Sequence, residues 1–389
     1  MKDNDLSYIL HHMDEDDNPF GAVSPPIYQS SIFSFKSFAA FREAMKDEVN
    51  QSIYTRGNNP TVMLAEKKLA ALEGAERAKL LSSGSSAISH AIMAFVKSGD
   101  HIVCVKDCYS WCAALLNKYL PRFGVTHTYV DGSDSAEVLN AIKNETKIIY
   151  LESPTTLTFK LQDLSTIAAE AKKRGIKTIT DNSWATPIFC NPIKLGIDLV
   201  VHSGSKYFGG GSDLVAGLVA GSKEDIDLIQ KQEFMQLGTV PDPFMAWLLL
   251  RGLRTLHIRL KTHYESALKV ASYLEKHQRV ESVTYPMLPS HPQYERAQKL
   301  FRGGSGLFSF RLKTHQLSDV IHFTDTLRLF KRAVSWGGYE SLVFPNAISF
   351  HNDEDIPPDR LPLVRIHVGL ENSDDLIEDL ENALGQIKG

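Results

Sequence analysis

The sequence is poor in cysteine and lacks long apolar runs. Its 389 residues include four cysteines, Cys104, Cys108, Cys112 and Cys190, too few for a disulfide framework in a chain of this length. No apolar stretch approaches the ~18–20 residues that a membrane-spanning helix needs. The segment "MKDNDLSYILHHMDEDD" has neither the apolar core of a secretory signal nor the basic character of a transit peptide. We therefore expect a cytoplasmic protein with no membrane partner.

A strong excess of charge of either sign is also missing. The formal net charge is −4, which argues against nucleic acid as the main partner. Cys108 and Cys112 lie four residues apart, but no second pair of Cys or His follows at the spacing of a zinc site. We therefore expect no metal, and we interpret the cysteines as small buried apolar side chains.

What is present has the composition and length of a globular protein of two or three domains. Hydrophobic residues make up 43% and charged residues 23% of the chain. Residues 1–58 include the proline-broken segment "GAVSPPIYQSSIFSF", and we expect them to form an arm that packs on a neighbouring subunit. Residues 59–250 are expected to form an α/β domain, and residues 251–389 a smaller α+β domain.

The middle region alternates strand and helix patterns. Strands are predicted over "HIVCVK", "TKIIYLESP", "IKTITDNS" and "IDLVVHSGS", and helices over "PTVMLAEKKLAALEGAERA" and "DLSTIAAEAKKRG", with Asp163 and Gly175 as the end signals of the latter. Such alternation indicates a mostly parallel sheet with helices on both faces. Further along, "RGLRTLHIRLKTHYESALKVASYLEKH" predicts one long helix, "SGLFSFRL" and "LVRIHVG" predict strands, and "DDLIEDLENALGQI" predicts a last helix.

Polar side chains follow three successive strands of the predicted sheet. Glu152 and Asp181 end two of them, and the third runs into "HSGSKYFGGGSD", which contains Lys206. In parallel α/β sheets ligands bind beyond the carboxyl ends of strands. Upstream, "LLSSGSSAISHAIMAF" is a small-residue loop that opens a helix, and helix N-termini suit a phosphate. The segment matches neither a P-loop nor the GxGxxG pattern.

These features together favour pyridoxal phosphate as the cofactor. A lysine can hold the aldehyde as a Schiff base, and an acid can keep the pyridine nitrogen protonated. Each residue taken alone also fits an ordinary structural role. Asp181 has the position of a loop cap, Ser203 and Ser205 have that of turn hydroxyls, and Tyr109 is of a type common in cores.

From "GAVSPPIYQSSIF" to "VRIHVGLEN", the ordered blocks resemble the cysteine/methionine-metabolism, or trans-sulfuration, family of pyridoxal-phosphate enzymes. The resemblance implies a fold type I, aspartate-aminotransferase-like α/β architecture, an amino-acid substrate and a homotetramer built from two catalytic dimers. It implies cofactor contacts by Tyr54 and Arg56 from the neighbouring subunit and by Ser83, Gly84, Ser85, Tyr109, Asp181, Ser203, Ser205 and Lys206.

The same resemblance assigns roles in catalysis and substrate binding. Lys206 matches the Schiff-base lysine and general base, and Tyr109 and Tyr54 are the other expected catalytic residues. The blocks "SWGGYESL" and "VRIHVGLEN" place Ser335, Trp336 and Arg365 at the substrate, where a guanidinium suits a carboxylate because its planar fork binds two oxygens.

The sequence departs from the family pattern in several places. Ser205 stands where threonine is usual, Gly211 stands where histidine is usual, and Trp111 and Cys112 follow the stacking tyrosine in place of smaller residues. A possible role of Cys112 is not carried over from methionine γ-lyases, because their cysteine lies two residues after that tyrosine and Cys112 lies three after it.

The expected reaction is α,β-elimination of L-cystathionine to homocysteine, pyruvate and ammonia. "SWGGYESL" has the look of bacterial cystathionine β-lyases, and Val334 stands where cystathionine γ-lyases and γ-synthases often carry glutamate. Methionine γ-lyases also tend to be apolar there, so γ-elimination and γ-replacement stay open as alternatives. A binding protein without chemistry is disfavoured, because Lys206, Asp181 and Arg365 are all present.

Overall fold

The computed structural model describes residues 5–16 and 18–387. Positions 1–4 and 17 of the predicted arm, and positions 388–389, lie outside the described residues. The chain divides into two compact units. The first comprises Met1–Glu152, Gln162–Gly209 and Asp213–Thr255, and the second comprises Ser153–Leu161, Gly210–Ser212 and Leu256–Gly389.

The α-helices of the described residues, in chain order, are α1 Leu6–His11, α2 Phe38–Ala44, α3 Pro60–Glu73, α4 Gly84–Met93, α5 Ser110–Ala114, α6 Ser135–Asn140, α7 Leu164–Lys173, α8 Thr186–Phe189, α9 Lys223–Ile229, α10 Met235–Leu237, α11 Pro243–Leu253, α12 Leu256–Leu274, α13 Tyr294–Leu300, α14 Leu317–Thr326 and α15 Ser373–Leu384. None of the helices in this described part of the chain is both long and apolar enough to cross a bilayer.

A mostly parallel sheet forms the centre of the first unit. Its strands are β1 Arg77–Leu81, β2 His101–Val105, β3 Thr126–Val130, β4 Thr146–Glu152, β5 Lys177–Asp181, β6 Leu199–Ser203 and β7 Gly217–Gly221. They lie in the order β1-β7-β6-β5-β4-β2-β3. The pairs from β6 to β3 are parallel, and β7 is antiparallel to both β6 and β1. The predicted mostly parallel sheet is confirmed.

Helices cover this sheet because its strands are apolar on both sides. Every residue of β2 and of β7 is buried, the pattern of strands covered on two faces. Helix α4 packs against β6 and β7, and α3 packs against β1. The predicted end signals of α7 are also confirmed, since Asp163 accepts from the Thr166 N–H and Gly175 has a φ of 64°.

The second unit has its own five-stranded sheet. Its strands are β8 Val280–Thr284, β9 Leu307–Leu312, β10 Lys331–Arg332, β11 Leu342–Pro345 and β12 Leu363–His367, in the order β10-β11-β12-β9-β8. Helix α15 packs against α12 and α14, and α12 also packs against β8 and β9. The mixed strands and final helix expected after residue 250 are present.

The single long helix predicted from residue 251 is wrong at its start. Residues 251–253 end α11, and α12 begins at Leu256. Gly252, in the last turn of α11, lies against another segment, since a Cβ there would lie 2.3 Å from the Phe208 carbonyl oxygen. Apolar periodicity continues through so short a break, so the sequence pattern does not reveal it.

Candidate active site

The small-residue loop before α4 places unused N–H groups at a helix N-terminus. Ser83 caps α4 through a capping box: its Oγ accepts from the Ser86 N–H at 3.1 Å, and its own N–H donates to the Ser86 Oγ at 3.0 Å. The first intrahelical donor is the Ala87 N–H. Within the described part of the chain, no hydrogen bond uses the N–H groups of Gly84 and Ser85, which leaves them for an external anion.

Glycines bring this loop against the ends of two strands. A Cβ on Gly84 would lie 2.9 Å from the Ser203 Cβ at the end of β6, and a Cβ on Gly217 would lie 1.8 Å from the Ser83 carbonyl oxygen. Neither position has room for a side chain, so the backbone itself lines the space beside Ser203. A phosphate cradle of backbone N–H groups and serine hydroxyls fits these residues.

The segment after β6 contains the reactive lysine predicted from the sequence. Lys206 is half-buried, and its N–H donates to the Ser203 carbonyl oxygen at 3.2 Å, which closes a tight turn. The Ser205 Oγ accepts from the Ala216 N–H at 3.0 Å, so this turn is held against the residue before β7. A Cβ on Gly204 would lie 2.9 Å from the Ala216 Cβ, which explains the glycine there.

Asp181 ends β5 and lies in the electrostatic field of the lysine. Its Oδ1 accepts from the Ser183 N–H at 2.8 Å, and the Ser183 Oγ accepts from the Ser203 N–H at 2.7 Å. Burial raises the pKa of Asp181, while hydrogen bonds from Ser183 and the charges of His202 and Lys206 act in the opposite direction. An enclosed carboxylate held this way can pair with a protonated ring nitrogen.

Tyr109 is brought to the same edge of the sheet by Glu152. The Tyr109 N–H donates to the Glu152 Oε2 at 2.7 Å. Glu152 is the register partner of Asp181 across β4 and β5, and the Tyr109 residue is 37% exposed. The backbone of Tyr109 is therefore tied to the strand end next to Asp181, and its exposed ring offers a face on which a planar cofactor could stack.

The residues of the first unit that fit pyridoxal phosphate thus converge. The loop before α4, Asp181 at the end of β5 and Lys206 after β6 follow one another in the sequence, and in the structure these element ends adjoin one another. Tyr54 is 43% exposed, and the Arg56 guanidinium carbon lies 5.4 Å from its ring centroid. No hydrogen bond or ion pair among the described residues joins their side chains to this group, and their predicted role in a neighbouring subunit stays a prediction.

The second unit contains the candidate substrate residues. Arg365 lies on β12, and its guanidinium carbon lies 5.2 Å from the Phe344 ring centroid. Ser335 has a φ of 83°, a conformation that serine rarely adopts. The loop after Ser335 and Trp336 is fixed, because the Gly337 N–H donates to the His367 Nε2 at 3.1 Å. Their contact with substrate stays a prediction.

The structure also shows site residues that the sequence reasoning missed. Ser183 links Asp181 to Ser203, and its position two residues after a strand-end aspartate is a signal for an Asx turn. The sequence pattern marks Glu152 only as a strand-end acid, and its contact with Tyr109 has no local sequence signal. The position of Gly217 against Ser83 likewise depends on strand order.

Comparisons with known proteins agree with this geometry. The family described as "Cys/Met metabolism PLP-dependent enzyme" matches residues 7–385. The chain is 38% identical over 394 residues to an L-methionine gamma-lyase of Fusobacterium nucleatum subsp. nucleatum, covering 100% of both chains. It is 37% identical over 388 residues to a cystathionine gamma-lyase of Bacillus subtilis, covering 97% of this chain and 98% of the relative.

A solved structure shows the same architecture. The crystal structure of metB from Corynebacterium glutamicum superposes with a TM-score of 0.91 at 34% identity, covering 99% of each chain. This confirms the fold type I prediction and its large mostly parallel sheet. The chain therefore belongs to the Cys/Met metabolism family of PLP-dependent enzymes, uses pyridoxal 5′-phosphate, and is a carbon–sulfur lyase of sulfur amino acid metabolism.

Proposed function

We propose that this enzyme catalyses γ-elimination, with an apolar γ-thioether such as L-methionine as its substrate class. The reaction converts L-methionine and water to 2-oxobutyrate, methanethiol and ammonia. The observation that carries the proposal is the pair of full-length relatives, 38% and 37% identical, that are both named gamma-lyases. Cystathionine β-elimination, the reaction expected from "SWGGYESL", receives no such support, and the γ-lyase alternative is better supported.

The side chain before Ser335 favours an apolar substrate within that class. Val334 is 70% exposed and brings no charge to the loop. A distal ammonium group, as in cystathionine, needs an acidic partner, whereas a methyl thioether has no charge that a valine would leave unpaired. The substrate carboxylate is assigned to Arg365 and Ser335, because a guanidinium binds two carboxylate oxygens in one plane.

Each cofactor-contacting residue then has a distinct task. The N–H groups of Gly84 and Ser85 and the hydroxyls of Ser203 and Ser205 would hold the phosphate, and the Asp181 carboxylate would hold the proton on the ring nitrogen. The bound cofactor supplies an electron sink for the negative charge that develops on the substrate.

Proton transfer is assigned to the lysine. Lys206 Nζ would hold the cofactor before substrate binds. As general base it would then take a proton from the substrate Cα and a second proton from Cβ, which expulsion of a γ-thiolate requires. Tyr109 would stack on the ring, and we assign protonation of the leaving sulfur to its phenol together with Tyr54 of a neighbouring chain.

The keto acid identifies the reaction. We expect 2-oxobutyrate and methanethiol from L-methionine, and 2-oxobutyrate with cysteine from L-cystathionine. The variant Lys206→Ala should lose both, while Lys97→Ala, an exposed lysine of the same unit, should keep them. Pyruvate with homocysteine from cystathionine, and no product from methionine, would instead establish the β-lyase reaction.

Substrate preference can be tested at Val334. We expect Val334→Glu to lower KM for L-cystathionine and to raise KM for L-methionine, because the new carboxylate attracts the distal ammonium. Ile321→Glu, at a 49% exposed position on α14, is the matched control and should change neither. Unchanged preference in Val334→Glu would remove Val334 from the specificity argument.

We also propose a tetramer of two catalytic dimers, with Tyr54 and Arg56 completing a neighbour's site. Support comes from the arm, whose apolar residues are left uncovered in one chain: Phe20, Val23 and Phe38 are 108%, 91% and 80% exposed. Mixing the inactive variants Lys206→Ala and Arg56→Ala should restore about a quarter of wild-type activity, since half of random dimers then carry one intact site. No recovery, with mixed dimers verified by mass, would contradict sharing.

A further inference from the structure

Three buried cysteines meet beside the turn that carries Tyr109. Cys104 lies near the end of β2, Cys108 in the turn that follows, and Cys112 in α5. Their exposed fractions are 0%, 7% and 1%. Their sulfur atoms all lie within 4.8 Å of one another, and Cys104 Sγ lies 3.8 Å from Cys108 Sγ. The sequence spacing drew attention to Cys108 and Cys112 alone, and the strand adds the third thiol.

These separations are those of sulfurs that share a metal ion. With Zn–S bonds of ~2.3 Å and tetrahedral angles, two sulfur ligands lie ~3.8 Å apart. One pair already has this separation, and the others need shifts of at most about 1 Å to reach it. The three residues lie on a strand, a turn and a helix that are packed in one unit, so the site is largely formed before any ion binds.

We propose that Cys104, Cys108 and Cys112 form a three-sulfur binding site for a soft divalent cation, with Zn²⁺ as the ion of choice. On binding, the three S–H groups release their protons to solvent and three metal–sulfur bonds form, with no change in oxidation state. Thiolate ligands select soft or borderline ions over Mg²⁺ and Ca²⁺, which prefer oxygen. The fourth position of the ion remains for water or a small ligand.

The electrostatic surroundings favour a cation. Burial raises the pKa of Cys104, and burial together with the charge of Glu152 raises that of Cys112. The pKa of Cys108 is instead lowered to about 4, because hydrogen bonds from its two partner thiols outweigh burial and the charge of Asp107. A divalent ion offsets two of the three thiolate charges, and so relieves most of the cost of burying them beside acidic neighbours.

An entry path exists at Cys112. This residue lines a cavity of about 470 Å³ together with Trp111, Ser85 and Leu115. The cavity also borders α4, and we expect an ion to approach the cluster from this side. Since Cys108 immediately precedes Tyr109, an ion bound there also restrains the turn that positions the stacking ring.

The test is a titration of the metal-stripped holoenzyme, kept reduced with a phosphine, with Cd²⁺ as a spectroscopic probe. We expect a cadmium–thiolate charge-transfer band in the ultraviolet that saturates at one ion per chain, and competition by Zn²⁺ for the same site. X-ray absorption of the wild-type zinc protein should show three sulfur neighbours at ~2.3 Å. This measurement needs no variant, so a poorly folding mutant does not weaken it.

Variants locate the site. Cys104→Ala and Cys112→Ala should each weaken Cd²⁺ binding by roughly a hundredfold or more, since even residues that only orient metal ligands contribute 10–100-fold. Cys190→Ala removes a buried cysteine outside the cluster and should bind as the wild type does. Absence of the charge-transfer band in the wild type, a sulfur count below three, or equal weakening in Cys190→Ala would overturn the proposal.

Discussion

Removing one hydroxyl, in Ser183→Ala, should destabilise the apoenzyme by a predictable and pH-dependent amount. Ser183 is 6% exposed. Its Oγ accepts from the Ser203 N–H at 2.7 Å, and its side chain also hydrogen-bonds to the Asp181 carboxylate. An orphaned enclosed N–H costs ~1–3 kcal/mol, and a hydrogen bond to a charged group contributes ~1.5–3 kcal/mol. We expect the free energy of unfolding to fall by roughly 3 kcal/mol at pH values above the folded-state pKa of Asp181.

The pH dependence follows from the direction of the Asp181 shift. Burial raises the folded-state pKa of this carboxyl above its unfolded value of ~3.9, so its ionised form opposes folding at neutral pH. That opposition is relieved as the pH falls through the folded pKa towards the unfolded one. Ser183→Ala raises the folded pKa further, so its stability deficit should be largest near neutral pH and should shrink in acid.

The assay is thermal and urea unfolding of apoenzyme at a fixed subunit concentration, at neutral and at mildly acidic pH. Ser165→Ala is the matched control, because the exposed Ser165 Oγ also donates to an aspartate, Asp163, at 2.8 Å. Surface changes of this kind usually stay within ~0.5 kcal/mol. A Ser183→Ala deficit no larger than that of the control, or one that grows in acid, would refute the reasoning.

Two further changes test the packing of each unit. Gly217→Ala places a Cβ 1.8 Å from the Ser83 carbonyl oxygen. Circular dichroism should then show lost folding, or cofactor titration should show at least tenfold weaker cofactor binding. Gly385→Ala is the control and should resemble the wild type, because its Cβ would lie 3.4 Å from the nearest atom. Burial lowers the pKa of His263 to about 4, below its unfolded value of ~6.5. The folded state therefore keeps its full stability above pH ~6.5, and it loses roughly 3 kcal/mol as the pH falls from there to about 4. His263→Gln should show a smaller acid-induced loss in urea unfolding, and an equal loss would assign the acid sensitivity to other groups.

Strand positions were predictable because buried parallel strands have a simple signature. Runs of Val, Ile and Leu that end in Glu152, Asp181 or Ser203 predict one shared edge of the sheet as the candidate site, since carboxyl ends of parallel strands meet there. Lys206 followed from the same rule. These predictions needed only local composition and one topological principle.

Contacts between distant segments were not predictable in the same way. The antiparallel strand β7 is as completely buried as the parallel strand β2, so its residues do not reveal its direction. The contact of Gly217 with Ser83 depends on that direction, as does the support that Ala216 gives to Ser205. The cluster of Cys104 with Cys108 and Cys112 also depends on how the turn after β2 folds back, which three cysteines in sequence do not disclose.

The site is held together by short contacts that cross from one element to the next. Glu152 holds the Tyr109 N–H, Ser183 bridges Asp181 to Ser203, and Ser203 lies against Gly84. Each contact joins residues far apart in sequence but adjacent across strand ends. Sheet register therefore sets the separation between Tyr109, Asp181 and the loop before α4.

This arrangement explains why glycines surround the proposed Schiff-base lysine, Lys206. A side chain at Gly84, Gly204 or Gly217 would force the packed elements apart, and the residues proposed to contact the cofactor would move with them. Because the contacts are coupled through one sheet, a change at Gly217 should weaken phosphate binding, whereas Ser183→Ala should act mainly through Asp181. The two variants therefore separate the geometry of the site from its electrostatics.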